Sequence, residues 1–94
     1  KAEKIENGTA LWMRVDGPDD EVLSFDNMSN RPIQGSTGWR KHDIVLDVPE
    51  DSINVAFGIM LYGRGHVWID DLRFEIVSKD VPTTDLWKGG KVFP

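Results

Sequence analysis

The stretch from Ile53 to Val77 constrains the fold of this chain more than any other. It reads Ile-Asn-Val-Ala-Phe-Gly-Ile-Met-Leu-Tyr, then Gly63-Arg64-Gly65, then His-Val-Trp-Ile-Asp-Asp-Leu-Arg-Phe-Glu-Ile-Val. Two apolar runs of strand length around a Gly-rich triplet predict a long β-hairpin. With a loop of Gly63-Arg64-Gly65, Tyr62 faces His66, Leu61 faces Val67, Met60 faces Trp68 and Ile59 faces Ile69. That register makes Ile59, Leu61, Val67 and Ile69 a core face and sends Met60, Tyr62, His66 and Trp68 outward. Carried further, it would oppose Phe57 to Asp71 and bury a carboxylate. An extra residue at Asp70-Asp71 repairs the match, restoring Phe57 with Leu72, Val55 with Phe74 and Ile53 with Ile76. A β-bulge is therefore expected there, with Gly58 opposite making room. A two-residue turn at Arg64-Gly65 is the rival register. It needs no bulge, but it sets Asp70 against Ile59 and turns Ile69 outward.

Elsewhere the signals are those of short strands. Lys1 to Thr9 is polar and ends at the turn signal Asn7-Gly8. Ala10 to Asp16 alternates, with Leu11, Met13 and Val15 on one face and Trp12, Arg14 and Asp16 on the other. After the turn Asp16-Gly17-Pro18-Asp19-Asp20, a strand over Glu21 to Asp26 completes an expected hairpin. Asn27 to Gly38 reads as a long loop of the kind that often carries function. Trp39 to Val48 reads as a strand with His42, Ile44, Leu46 and Val48 inward. Residues 79–94 read as a tail or linker after a domain over 1–78, with Trp87 and Phe93 as docking points. No segment has helical apolar spacing. About five strands with turns between them predict an all-β fold, an antiparallel β-sandwich.

Composition narrows the function classes. At 94 residues the chain is one domain at most, and a chain this size buries roughly 60–65% of its unfolded surface. Without cysteine it has neither disulfides nor thiolate metal ligands. A net charge of −5 with no Lys/Arg cluster argues against direct nucleic-acid binding, which depends on phosphate neutralisation. No apolar run reaches the length of a membrane span.

Two groups of residues could carry chemistry. Trp12, Arg14, Met60, Tyr62, His66 and Trp68 would share the outer face, an aromatic platform with polar rims. Such a surface suits a small molecule, the apolar face of a sugar, or another protein chain. The competing reading is that a second sheet or subunit covers it. Asp70 and Asp71 could supply oxygens to a structural Ca²⁺; the plainer reading is a bulge whose freed N–H groups one carboxylate caps. The acid pairs Asp19-Asp20 and Glu50-Asp51 lie in turns, His42 reads as a core residue, and no nucleophile elbow is present, so a small two-carboxylate glycoside hydrolase ranks last. No cofactor is required by any of these readings.

Val67-Trp68-Ile69-Asp70-Asp71-Leu72-Arg73-Phe74 resembles the closing strand of galactose-binding-like jelly rolls, including many carbohydrate-binding modules. Leu11-Trp12-Met13-Arg14-Val15-Asp16-Gly17, Phe25-Asp26-Asn27-Met28 with Arg31-Pro32-Ile33, and Val45-Leu46-Asp47-Val48-Pro49 are similar to a sandwich domain found beside helix-turn-helix regions in bacterial transcriptional regulators. The resemblance covers about residues 8–82. It implies a jelly-roll sandwich, raises the odds of Ca²⁺ at Asp70 or Asp71, and assigns no sugar-contacting residue. It also implies further strands before the position of Lys1, so the sheets are expected to be completed by another chain, or the chain to be a fragment. The expectations are thus a non-catalytic binding module, the sensor part of a regulator and cytoplasmic, or extracellular if joined to a secreted carbohydrate-active enzyme. The alternative is an oligomerisation module with its aromatic face between subunits.

Overall fold

The computed structural model describes residues 1–85; Trp87 and Phe93 lie outside them. The fold is all-β, and one strand organises it. β1 (Ala2–Asp16) is 15 residues long, and β2 (Val22–Asp26), β3 (Ile33–Thr37), β4 (Asn54–Leu61) and β5 (His66–Val67) each pair antiparallel with it. Leu61 and Ile33 both pair with Thr9, so β4 and β3 lie on opposite edges of β1. Ala2 pairs with both Thr37 and Val67, which separates β3 from β5 in the same way. Met13 to Asp16 lie between β2 and β4. The chain therefore runs down one edge of β1 from Val22 to Thr37 and down the other from Asn54 to Val67, each run interrupted once. In between, residues 38–53 cross from edge to edge.

This topology replaces the expected hairpin at 53–77. Gly63-Arg64-Gly65 does not reverse the chain, and neither of the two turn registers forms. Backbone hydrogen bonds continue past it along β1: Tyr62 N–H donates to Gly8 O at 2.9 Å, Glu6 N–H to Arg64 O at 3.0 Å and Trp68 N–H to Lys1 O at 2.9 Å. The register slips by one between Thr9↔Leu61 and Glu3↔His66. Lys4, at φ 52°, sits in the left-handed region at the slip, so the extra residue is on β1. Opposite it, a Cβ on Gly65 would stand 2.6 Å from Ile5 Cδ1 and 3.0 Å from Ile5 Cα; glycine is what lets the two backbones close up. The triplet is a bulge site in a continuous strand run.

Gly58 likewise has a different role from the one expected. The β1–β4 ladder is unbroken from Thr9↔Leu61 to Asp16↔Asn54, with Trp12 opposite Gly58. A Cβ there would lie 2.8 Å from the Trp12 indole Nε1, so Gly58 makes room for an indole ring and not for a bulge at Asp70-Asp71. Residues 68–77 and 39–48 carry no strand, although both read as strands, whereas β3 forms inside the expected loop. β1 also passes straight through Asn7-Gly8, Gly8 taking φ 112°.

The core is narrow and follows β1. Ala2, Ile5, Thr9, Ala10 and Val15 are buried, joined by Ser24, Asp26 and Met28 from the β2 edge. Leu11, Met13 and Val15 pair with Ile59, Phe57 and Val55, so all six share one face. Over β2 that face is covered by the crossing segment, where the Ser24 hydroxyl donates to Asp47 O at 2.8 Å. Over β4 it is open: Phe57 is 51% exposed and Ile53 70%, and Val55, Ile59 and Leu61 are exposed as well. Phe74 touches Phe57 edge-on, ring centroids 4.6 Å apart. The side chains expected to form the heart of the core are its uncovered margin. The strands among the described residues form a single sheet.

Candidate functional site

The outer-face residues divide into two groups. Trp12 and Arg14 project from β1 and Met60 from β4 on the face opposite Val15, as strand alternation requires. Tyr62 joins them: it is exposed, and its hydroxyl donates to Met60 Sδ at 3.3 Å. Beyond the bulge His66 stacks near Trp68, centroids 6.1 Å apart at 29°, and Lys1 Nζ lies 5.2 Å over the Trp68 ring. Arg14 is engaged locally, its Nε donating to Asp16 Oδ1 at 2.6 Å. The bond from Arg14 lowers the Asp16 pKa; burial raises it, and Asn54 Nδ2 and the Arg14 charge add to the lowering.

Met60 and Tyr62 also line a cavity of about 140 Å³ where the two interrupted edges approach each other across β1. Asn7 to Ala10 form its floor, and Asn27, Met28, Ser29 and Pro32 wall it from the loop between β2 and β3. Its lining carries amides, the Thr9 and Ser29 hydroxyls, thioethers and a phenol ring, and no charged side chain. Thr9 Oγ1 donates to Met60 O at 2.6 Å and so ties the floor to β4.

The loop wall is held by a residue that strand periodicity did not single out. Asp26 is 5% exposed, and its carboxylate accepts from Met28 N–H at 2.9 Å, from the Arg31 guanidinium at 2.5 and 3.3 Å, and from the Thr84 hydroxyl at 2.6 Å. Burial pushes its pKa up, but Arg31, Thr84 and the Met28 amide outweigh it and hold the carboxyl below its ordinary value. The available signal was Asp26-Asn27 directly after a strand, an Asx-turn pattern with Arg31 within reach. Thr84 belongs to the stretch read as a tail, and it bonds to the body at both Asp26 and Val45.

Asp70 and Asp71 form no shared oxygen cage. Asp70 Oδ1 accepts from Asp71 N–H at 2.8 Å, Asp71 Oδ1 accepts from Arg73 Nε at 3.0 Å, and Asp71 has φ 54°. Among the described residues no group of three or more His, Cys, Asp or Glu side chains is placed to hold a metal. His42 is half-buried; burial lowers its pKa, and the positive N-terminus, Arg40 and Arg31 lower it further. Among the described residues no helix is long and apolar enough to cross a membrane.

Fold and site define an all-β module whose described strands form one antiparallel sheet, with a small uncharged cavity between its interrupted edges. The chain is 50% identical over 92 residues to a protein of Bacillus subtilis (strain 168) described as "Uncharacterized HTH-type transcriptional regulator YbfP". That match takes in 98% of this chain and 31% of the relative, so the chain spans under a third of the relative's length. No family model matches the chain, and no solved structure matches it.

Proposed function

We propose that this chain is a non-catalytic ligand-binding module of a bacterial transcriptional regulator, and that its ligand is a small uncharged molecule, a sugar or a compound of similar polarity. The observation that carries the reading is the cavity lining. Tyr62, Met60 and Met28 offer an aromatic and thioether wall, and Asn7, Asn27 and Ser29 offer neutral donors and acceptors around it. A site of that composition orients hydroxyl or amide groups without rewarding charge. The regulatory context comes from the 50% identity to a helix-turn-helix regulator. A non-catalytic role fits the acid pairs Asp19-Asp20 and Glu50-Asp51, which stand exposed outside the strands. The test is a thermal-shift and Trp-fluorescence screen of monosaccharides, short oligosaccharides and small amides. A hit should raise the melting temperature of the chain and leave Tyr62→Ala and Asn27→Ala unaffected. If saturating members of every class shift neither signal, the ligand-binding reading is lost.

A second reading is assembly, and one observation favours it. Val55, Phe57, Ile59 and Leu61 form an exposed apolar strip on β4 with no charged side chain among them. Apolar patches of this kind mark contact surfaces.

A further inference from the structure

The loop that walls the cavity and the C-terminal end of the described chain meet at a single carboxylate. Asp26 closes β2. One of its oxygens, Oδ1, accepts from Met28 N–H at 2.9 Å and Arg31 Nη1 at 3.3 Å; the other, Oδ2, accepts from Arg31 Nη2 at 2.5 Å and the Thr84 hydroxyl at 2.6 Å. Thr84 then ties this cluster to the crossing segment. Val45 N–H donates to Thr84 Oγ1 at 2.9 Å, and Thr84 N–H donates to Val45 O at 2.9 Å. A hydroxyl has one proton. Thr84 gives it to Asp26 and takes the Val45 amide on its lone pair, a two-sided role that an isosteric valine cannot fill.

Two features make these bonds interdependent. Asp26 is buried, so an ionised carboxylate there needs its full set of donors; withdrawing one leaves charge that the others must satisfy alone. Met28 is 1% exposed and stands at φ 58°, a region that non-glycine residues seldom adopt. Its N–H bond to Asp26 and its burial hold the loop in that conformation. Met28 also lines the cavity, with Asn27 and Ser29 on either side.

We propose that the cavity wall at Asn27 to Pro32 and the C-terminal segment at Thr84 are one cooperative unit joined through Asp26, so that a molecule seated in the cavity and the docking of Thr84 on the body stabilise each other. Coupling of this kind is reciprocal by linkage. Loosening Thr84 loosens the wall, and loosening the wall frees Thr84. In a regulator module this would connect the ligand site to the segment around Thr84. That use rests on the binding-module reading above, whereas the coupling is a property of the chain itself and is tested without ligand.

The first arm is Thr84→Val, read by hydrogen peroxide oxidation of the methionines and mass spectrometry. Loss of a hydrogen bond to a charged group should raise the rate at Met28 roughly tenfold while Met13, outside the cavity, keeps its own. An unchanged Met28 rate, with faster amide exchange at Val45 proving that the latch has opened, overturns the proposal. Should all three methionines accelerate together, the variant has unfolded globally and the second arm decides. There Met28→Ala loosens the wall from within and leaves Asp26, Arg31 and Thr84 in place. Amide exchange at Thr84 should quicken while the Val15 amide in β1 stays protected. Exchange at Thr84 equal to that of the unsubstituted chain rejects the coupling. A ligand screen that fails while both arms succeed would leave the coupling standing and remove only its proposed use.

Discussion

Asp26 is buried and ionised together because four donor bonds from Met28, Arg31 and Thr84 replace the water it gave up. Its pKa in the folded chain lies below that of the unfolded chain. A group depressed in this way adds stability that is full above the unfolded value, near 3.9, and is lost as pH falls through the folded one. Urea unfolding should therefore show stability falling as pH drops below about 4. Asp26→Asn should lower stability at pH 7 by about 1–3 kcal/mol and make the remaining acid loss shallower. An acid slope identical in the two proteins would remove Asp26 as the titrating group. Gly58 makes the matching case in packing. With a Cβ only 2.8 Å from the Trp12 indole, Gly58→Ala must displace the ring, at a cost of about 1–3 kcal/mol. Shrinking the indole in Trp12→Leu should make the same alanine nearly neutral. A double-mutant cycle with no interaction energy contradicts this contact.

At the scale of elements, the bulge between β4 and β5 decides whether the run from Asn54 to Val67 stays on β1. Gly65→Ala places a Cβ against the Ile5 backbone and should cost about 1–3 kcal/mol. Because the β1–β4 ladder is unbroken on the other side of the slip, the loss should be local. Amide exchange should quicken at Glu6 and Trp68 and stay slow along Leu11 to Val15; uniform acceleration would mean that the two strands open as one. This bulge also shows how far the sequence was legible. Alternation located Ala10–Asp16 and the 22–26 strand, and two apolar runs around Gly-Arg-Gly located 54–61. Periodicity reports which residues share a face. It does not report whether a glycine triplet reverses the chain or lets it slip by one residue against another strand, since that depends on a partner about 60 positions away. Asn7-Gly8 misled in the same manner, because Gly8 at φ 112° serves an irregular β1–β3 pairing inside a strand. Of the site, Met60 and Tyr62 were legible from their outward phase. Asp26 and Thr84 were not, because a bond between positions 26 and 84 leaves no periodic trace.

For the molecule as a whole, burial is lopsided about β1. Val15, Ser24 and Asp26 are buried, Ser24 under the crossing segment, while the β4 strip on the same face is exposed, with Phe74 laid against Phe57. A sheet with one apolar face half covered is driven to find a second layer. The strip carries no charge of its own, so association through it buries no charged side chain of β4. Sedimentation velocity should show concentration-dependent association of the chain, and Ile59→Lys should abolish it. The same substitution separates strip from core. A lysine in a packed interior would unfold a domain of this size, whereas at a position already 39% exposed it should change unfolding free energy by less than about 1 kcal/mol. Val15→Ala, at a fully buried position on the same face, should instead cost about 2–3 kcal/mol and leave the sedimentation profile as it was. If Ile59→Lys unfolds the chain, the strip is interior and the exposed face described for β4 is closed in solution. If it leaves both stability and sedimentation untouched, the assembly reading loses the observation that favours it, and ligand binding beside Tyr62 is the proposal that stands.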